Sequence, residues 1–134
     1  SSVLVVDSSA ALRAKLVEWL SDIEGVGIVA EEETARGAVA AIGKRKPDAV
    51  ILELLLADGT ALDVLSRIGK RRGGMTVIVL TDYPYRILRD RCFDLGADHF
   101  FDRSSELTKA IEVVEKLSRK RRTRKARAKR RRKS

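Results

Sequence analysis

The sequence predicts a doubly wound α/β domain, a parallel sheet held between two layers of helix. Three observations predict it. Short apolar runs alternate with amphipathic stretches over residues 1–117; the runs are continuous rather than alternating, as strands buried on both faces require; and most of them end in a polar residue.

The first run is Val3–Val6, closed by Asp7. Ser8 or Ser9 then caps a helix whose apolar face is Leu12, Leu16, Trp19 and Leu20, and Gly25 ends the unit. Val26–Ala30 is the second strand, and Thr34–Ile42 is an alanine-rich second helix closed by Gly43. Ala49–Leu52 is the third strand and delivers Glu53, ahead of the loop at Asp58-Gly59. Leu62, Val64, Leu65 and Ile68 mark the third helix, and Gly73-Gly74 a turn without the context of a phosphate loop. Met75–Leu80 is the fourth strand, ending at Thr81. Tyr83-Pro84-Tyr85 leads into a fourth helix over Tyr85–Leu95, stopped at Gly96. His99–Phe101 is a short fifth strand, and a fifth helix starts near Ser104-Ser105 with Leu107, Ile111, Val114 and Leu117 inward.

Ligand sites in open parallel sheets lie beyond the carboxyl ends of the strands, where the strand order reverses. The residues expected on that rim are Asp7, Glu53, Thr81 and Arg103, all polar and contributed by four different strands.

Composition narrows the classes. A chain of 134 residues accommodates one domain with one hydrophobic core, and with only 4% aromatic residues that core must be aliphatic. The single cysteine, Cys92, excludes an intramolecular disulfide and a cysteine-based zinc cluster, and its helical setting suits a small core filler. No basic leader precedes the first apolar run, and no apolar stretch approaches the roughly 20 residues that span a bilayer. A cytoplasmic protein is expected. His99 is the only histidine, so no Ser-His-Asp or Cys-His constellation can be assembled, and an enzyme is not expected.

Charge divides the chain in two. Thirteen of the 28 basic residues and none of the 19 acids lie in residues 116–134, so residues 1–115 carry about −4, with 15 bases against 19 acids. The expected organisation is a mildly acidic domain over residues 1–117 and a disordered basic tail over residues 118–134.

Read together, Val3-Leu4-Val5-Val6-Asp7, Pro47-Asp48-Ala49-Val50-Ile51-Leu52-Glu53, Asp58-Gly59, Val77-Ile78-Val79-Leu80-Thr81 and Gly96-Ala97-Asp98-His99-Phe100-Phe101-Asp102-Arg103 resemble the response-regulator receiver domain. This is the CheY-like fold of two-component and phosphorelay signalling. The resemblance implies a flavodoxin-like, doubly wound, five-stranded parallel sheet of order 2-1-3-4-5, flanked by five helices. It also implies two acids after the first strand and an acceptor aspartate after the third, together binding magnesium. A Thr or Ser after the fourth strand and a Lys after the fifth contact the phosphoryl group. The change then spreads to the face formed by the fourth helix, fifth strand and fifth helix.

Several positions depart from that pattern. Asp7 matches the first acid, but Ser8 stands in place of the second; Glu53 stands in the acceptor position; Arg103 replaces the lysine and Ser104 the proline after it; Ala57 replaces a proline before Asp58. Thr81 is retained, and Phe100 occupies the position of the aromatic switch residue. Magnesium requires near-octahedral oxygen ligation, so losing a carboxylate at Ser8 implies weak magnesium binding at Asp7, or none, and no cofactor is expected. The longer acceptor places its oxygens where a phosphoryl group would sit, against in-line attack. Three alternatives follow: Glu53 imitates the modified state by reaching Thr81 and Arg103; the site has decayed to a charge pair; or Glu53 is still modified. The first makes the protein an atypical receiver, a pseudo-receiver, acting by contact with a signalling partner through the fourth helix–fifth strand–fifth helix face. A homodimer is a further alternative.

The tail carries Arg119, Lys120, Arg121, Arg122, Arg124, Lys125, Arg127, Lys129, Arg130, Arg131, Arg132 and Lys133, with no apolar side chain larger than alanine. Like charges at i,i+4 disfavour a helix, so disorder is expected. The density suits nucleic acid, bound independently of sequence, or an acidic protein; without an apolar face the tail does not insert into a membrane, though it can adhere to anionic lipid. The alternative function is accordingly a nucleic-acid-associated factor with the domain as scaffold.

Overall fold

The structure is a computed structural model that describes residues 1–69 and 73–133, the side chain of Lys133 excepted. Residues 70–72 and Ser134, the last residue of the expected tail, lie outside the described residues. The elements are β1 (Ser2–Val6), α1 (Ala10–Ser21), β2 (Gly27–Glu32), α2 (Ala35–Arg45), β3 (Ala49–Leu52), β4 (Leu55–Leu56), β5 (Gly59–Thr60), α3 (Ala61–Ile68), β6 (Thr76–Thr81), α4 (Arg86–Asp94), β7 (His99–Asp102) and α5 (Arg103–Lys133).

The main sheet is parallel throughout, with order β2-β1-β3-β6-β7. This is the doubly wound order expected, since β6 and β7 are the fourth and fifth main strands. Side chains of a strand point alternately to the two faces, and this splits the apolar runs between two cores. Leu4, Val6, Val50, Leu52, Val77 and Val79 face α2, α3 and α4, where Ala38, Ile42, Val64, Leu65 and Cys92 meet them. Val3, Val5, Ile51, Ile78 and Leu80 face α1 and α5 and pack on Leu16, Leu20, Ala110 and Val114. Burial pushes the Cys92 thiol up to about 11, as befits a core filler that stays protonated.

Helix starts follow side-chain chemistry. Ser9, Thr34 and Thr60 each accept a backbone N–H of the first turn, and Thr60 with Asp63 completes a capping box. Several expectations need correction. Gly43 lies inside α2, which ends instead at Lys46 in the left-handed conformation with φ 46°. Trp19 is 44% exposed although it was expected on the apolar face, because Leu16 and Leu20 already occupy the sheet-facing line and Trp19 falls about 100° from Leu20 on the helix wheel. The antiparallel pair β4–β5, with Leu55 opposite Thr60, was not expected; two-residue strands carry no periodicity to detect.

The largest difference concerns the tail. The chain expected to be disordered from residue 118 continues α5 as helix to Lys133. A helix already nucleated by packing extends without a new nucleation cost, and Ala, Arg and Lys are among the best helix formers, against repulsions of only about 0.2–0.5 kcal/mol per like-charge pair. The base of the extension is also anchored. Ser118 Oγ donates to the Glu24 carbonyl at 3.0 Å, Arg121 pairs with Asp48 at 3.0 Å, and Arg122 pairs with Glu24 at 3.0 Å. Contacts with the domain therefore reach past residue 118, to Arg122. Gly25 sits beneath this anchor with φ +83°, where a Cβ would lie 2.8 Å from Ser118 Oγ.

Candidate functional site

Parallel register brings the strand ends to one rim. Val6 pairs with Leu52 and Leu52 with Val79, so the residues that follow β1 and β3 emerge side by side. The Glu53 amide donates to the Val6 carbonyl at 3.0 Å, and the Asp7 amide to the Glu32 carbonyl at 2.9 Å. Strand β6 runs two residues beyond Val79, which sets Thr81 one residue past the position level with Glu53 and opposite Asp102 of β7. Arg103 follows directly as the first residue of α5.

The four expected rim residues meet. Arg103 Nη2 donates to Glu53 Oε2 at 2.6 Å and to Asp7 Oδ2 at 2.7 Å, while Thr81 Oγ1 donates to Glu53 Oε1 at 3.1 Å. The remaining Asp7 oxygen, Oδ1, accepts the Ser9 amide at 2.8 Å. All four carboxylate oxygens thus have a protein donor. Asp7, Glu53 and Thr81 are buried, and the Arg103 side chain is only 10% exposed. Ser8, in the second acid position, is exposed.

Burial disfavours a charged carboxylate, and Glu53 is accordingly raised above its ordinary 4.5. The Arg103 hydrogen bond and charge and the Thr81 hydroxyl oppose that shift, and the neighbouring Asp7 reinforces it. Burial works to lower Arg103, but Glu53 and Asp7 outweigh it and hold the guanidinium charged. Both carboxylates accept from the single nitrogen Nη2, whose two hydrogens are held in the guanidinium plane.

Two participants escaped the sequence. Asp82, just after Thr81, lies 3.6 Å from Arg103 Nε and adds an outer acid at ion-pair range. Arg13, one turn into α1, donates to the Asp7 carbonyl at 2.7 Å and pairs with Glu31 at 3.3 Å. Nothing in the chain around Arg13 marks it; Asp82 was legible only as a polar neighbour of Thr81.

Outside this rim, Phe100 is buried on β7 opposite Val79 and belongs to the core shared with α2, α3 and α4. Asp58 turns away from the site: its carboxylate accepts the Ala35 and Arg36 amides at 2.6 and 3.1 Å, which lowers its proton affinity and pins the β4–β5 hairpin to the start of α2. His99 stacks on Phe101 with ring centroids 5.6 Å apart. The basic residues of α5 from Arg119 to Arg132 are exposed and stand well apart from the rim. Among the described residues no group of three or more His, Cys, Asp or Glu side chains is disposed to hold a metal ion, and no helix is long and apolar enough to cross a membrane.

A family model described as the response regulator receiver domain matches residues 3–115. The response regulator protein VraR of Staphylococcus aureus is 26% identical over 117 residues, 87% of this chain and 56% of that protein. The transcriptional regulatory protein PdtaR of Mycobacterium tuberculosis is 30% identical over 113 residues, 84% of this chain and 54% of that protein. The chain therefore spans about half the length of these curated relatives. Among solved structures, a two-component response regulator of the LuxR family from Aurantimonas superposes with a TM-score of 0.80 at 20% identity, covering 87% of this chain and 84% of that one.

Proposed function

Because the chain belongs to the response regulator receiver domain family of two-component signalling, we propose that it is a receiver held in one fixed state, with Glu53 in place of the phosphoacceptor aspartate. One observation carries this reading. The Glu53 carboxylate is buried and shared between the Thr81 hydroxyl and the Arg103 guanidinium, the two positions that contact phosphoryl oxygens in the family the sequence resembles.

Several features support it. Both Glu53 oxygens are engaged, so neither is free for in-line attack on a donor, which needs reacting atoms about 3–3.5 Å apart and aligned. Magnesium does not fit the residues present, because a guanidinium nitrogen already lies between the two carboxylates that would ligate it and Ser8 supplies no further charge. A decayed surface pair would be solvated and worth about 0–1 kcal/mol; this one is buried, and the Glu53 carboxylate accepts from both Arg103 and Thr81.

The fixed state is read out by protein contact rather than by catalysis. Thr81 Oγ1 also accepts the Tyr83 amide at 3.0 Å, which ties the loop before α4 to Glu53. That loop and the start of α4 expose Tyr83, Tyr85 and Ile87 beside the α4–β7–α5 face, where a signalling partner docks.

Incubation with a small-molecule phosphodonor and magnesium, followed by intact-mass analysis, tests the reading. The protein is expected to remain unmodified, and a phosphoryl group found on Glu53 would overturn the proposal.

A further inference from the structure

We infer that the chain has a second binding surface, for the phosphate backbone of duplex DNA, formed jointly by the basic half of α5 and a cleft at the opposite pole of the sheet from Glu53. The cleft has a volume of about 870 Å³ and lies where β3 and β6 begin. Asp48 and Glu53 bracket β3, so the two poles are about 17 Å apart at the strand rise. Lys46 and Arg67 line the cleft from the domain, and Lys120, Arg121 and Arg124 line it from α5. Among the described residues its single acidic lining residue is Asp48, already occupied by Arg121 and by the Ser2 amide.

Because α5 is continuous, these charges belong to one rod. Residues 119–133 hold 12 basic residues in 15 and no acid. As helix they span about 21 Å, or one positive charge per about 1.8 Å of axis. A DNA duplex carries one negative charge per about 1.7 Å. Arg119, Arg121 and Arg122 share their charge with Glu115, Asp48 and Glu24, so the net density of the rod is lower than that of the duplex but of the same order. A helix about 10–12 Å across is admitted by the B-form major groove, whereas the groove of an RNA duplex is deep and narrow.

Other partners fit less well. Neither the tail nor, among the described residues, the cleft lining has an aromatic side chain on which bases of a single strand would stack. The tail has no apolar face to lie in a bilayer. What distinguishes this surface from a basic tail acting alone is that the domain residues Lys46 and Arg67, distant from α5 in sequence, contribute to it.

The test is fluorescence anisotropy of the full chain on a mixed-sequence DNA duplex of about 20 base pairs, between about 50 and 200 mM salt. Affinity is expected to fall by about 10³-fold or more over that range, as for six or more phosphate contacts. The Lys46→Gln/Arg67→Gln double variant is expected to reduce the log–log salt slope by about 2, and Arg124→Gln/Arg127→Gln/Lys129→Gln by about 3. Circular dichroism checks that both variants remain folded. A slope unchanged by the domain variant would overturn the joint surface. So would binding without salt dependence, or polyglutamate, RNA duplex or anionic vesicles competing more strongly than DNA at equal charge.

Discussion

Arg103 Nη2 lies 2.6 Å from Glu53 Oε2, and the same nitrogen lies 2.7 Å from Asp7 Oδ2. One cationic group therefore serves two buried carboxylates. Removing it leaves both buried acids without their main counter-charge.

Arg103→Ala is therefore expected to destabilise the protein by about 3–5 kcal/mol in urea unfolding at neutral pH, the cost of uncompensated buried charge. Arg103→Lys keeps the charge but replaces the fixed guanidinium plane by a rotating ammonium on a flexible stem, and its stability should fall between those of the parent and the alanine variant. A loss below about 1 kcal/mol for the alanine variant would mean that water reaches the acids.

Glu53→Gln bears on the sign of the buried charge. The folded state raises Glu53 above 4.5, so it holds the proton more tightly than the unfolded chain does. Ionisation as pH rises from 4.5 through the raised value therefore costs stability, and acidification across that window restores it. Glutamine has no such cost, and Arg103 keeps Asp7. At neutral pH the variant is expected to equal the parent or exceed it by up to about 1 kcal/mol, with the advantage disappearing as pH falls toward 4.5. Chemical denaturation at a series of pH values checks this; a variant less stable by more than about 2 kcal/mol at neutral pH contradicts it.

Thr81→Val removes a buried hydroxyl of nearly unchanged shape. It strands Glu53 Oε1 and the Tyr83 amide, for an expected loss of about 1–3 kcal/mol. The Tyr83 amide should exchange its hydrogen faster than in the parent. Unchanged exchange would show that the loop before α4 is not tied to the site through Thr81.

Much of this site was legible in the chain because each rim residue directly follows or ends an apolar run, and continuous runs imply a parallel sheet with a common polar edge. Asp7, Glu53 and Thr81 are found by that rule directly, and Arg103 lies one residue further on, past Asp102. Arg13 is not found by it, since it lies inside α1 and its role arises from side-chain reach across elements; Asp82 directly follows β6 but was passed over for its neighbour Thr81. The helical course of residues 118–133 was missed because repulsion between neighbouring charges is a local signal, whereas the anchoring by Asp48 and Glu24 comes from residues far away in sequence. Gly43 misled in the other direction: glycine permits a helix to end but does not compel it, and Lys46 took the left-handed position instead.

Arg103 is at once the cation of the site and the first residue of a 31-residue helix. Such a rod is about 46 Å long. The Asp7 and Glu53 carboxylates hold its origin, and Ala110 and Val114 in the core with the ties of Ser118, Arg121 and Arg122 hold its middle, so the phosphate-like pole and the basic pole of the domain share one rigid element clamped at both.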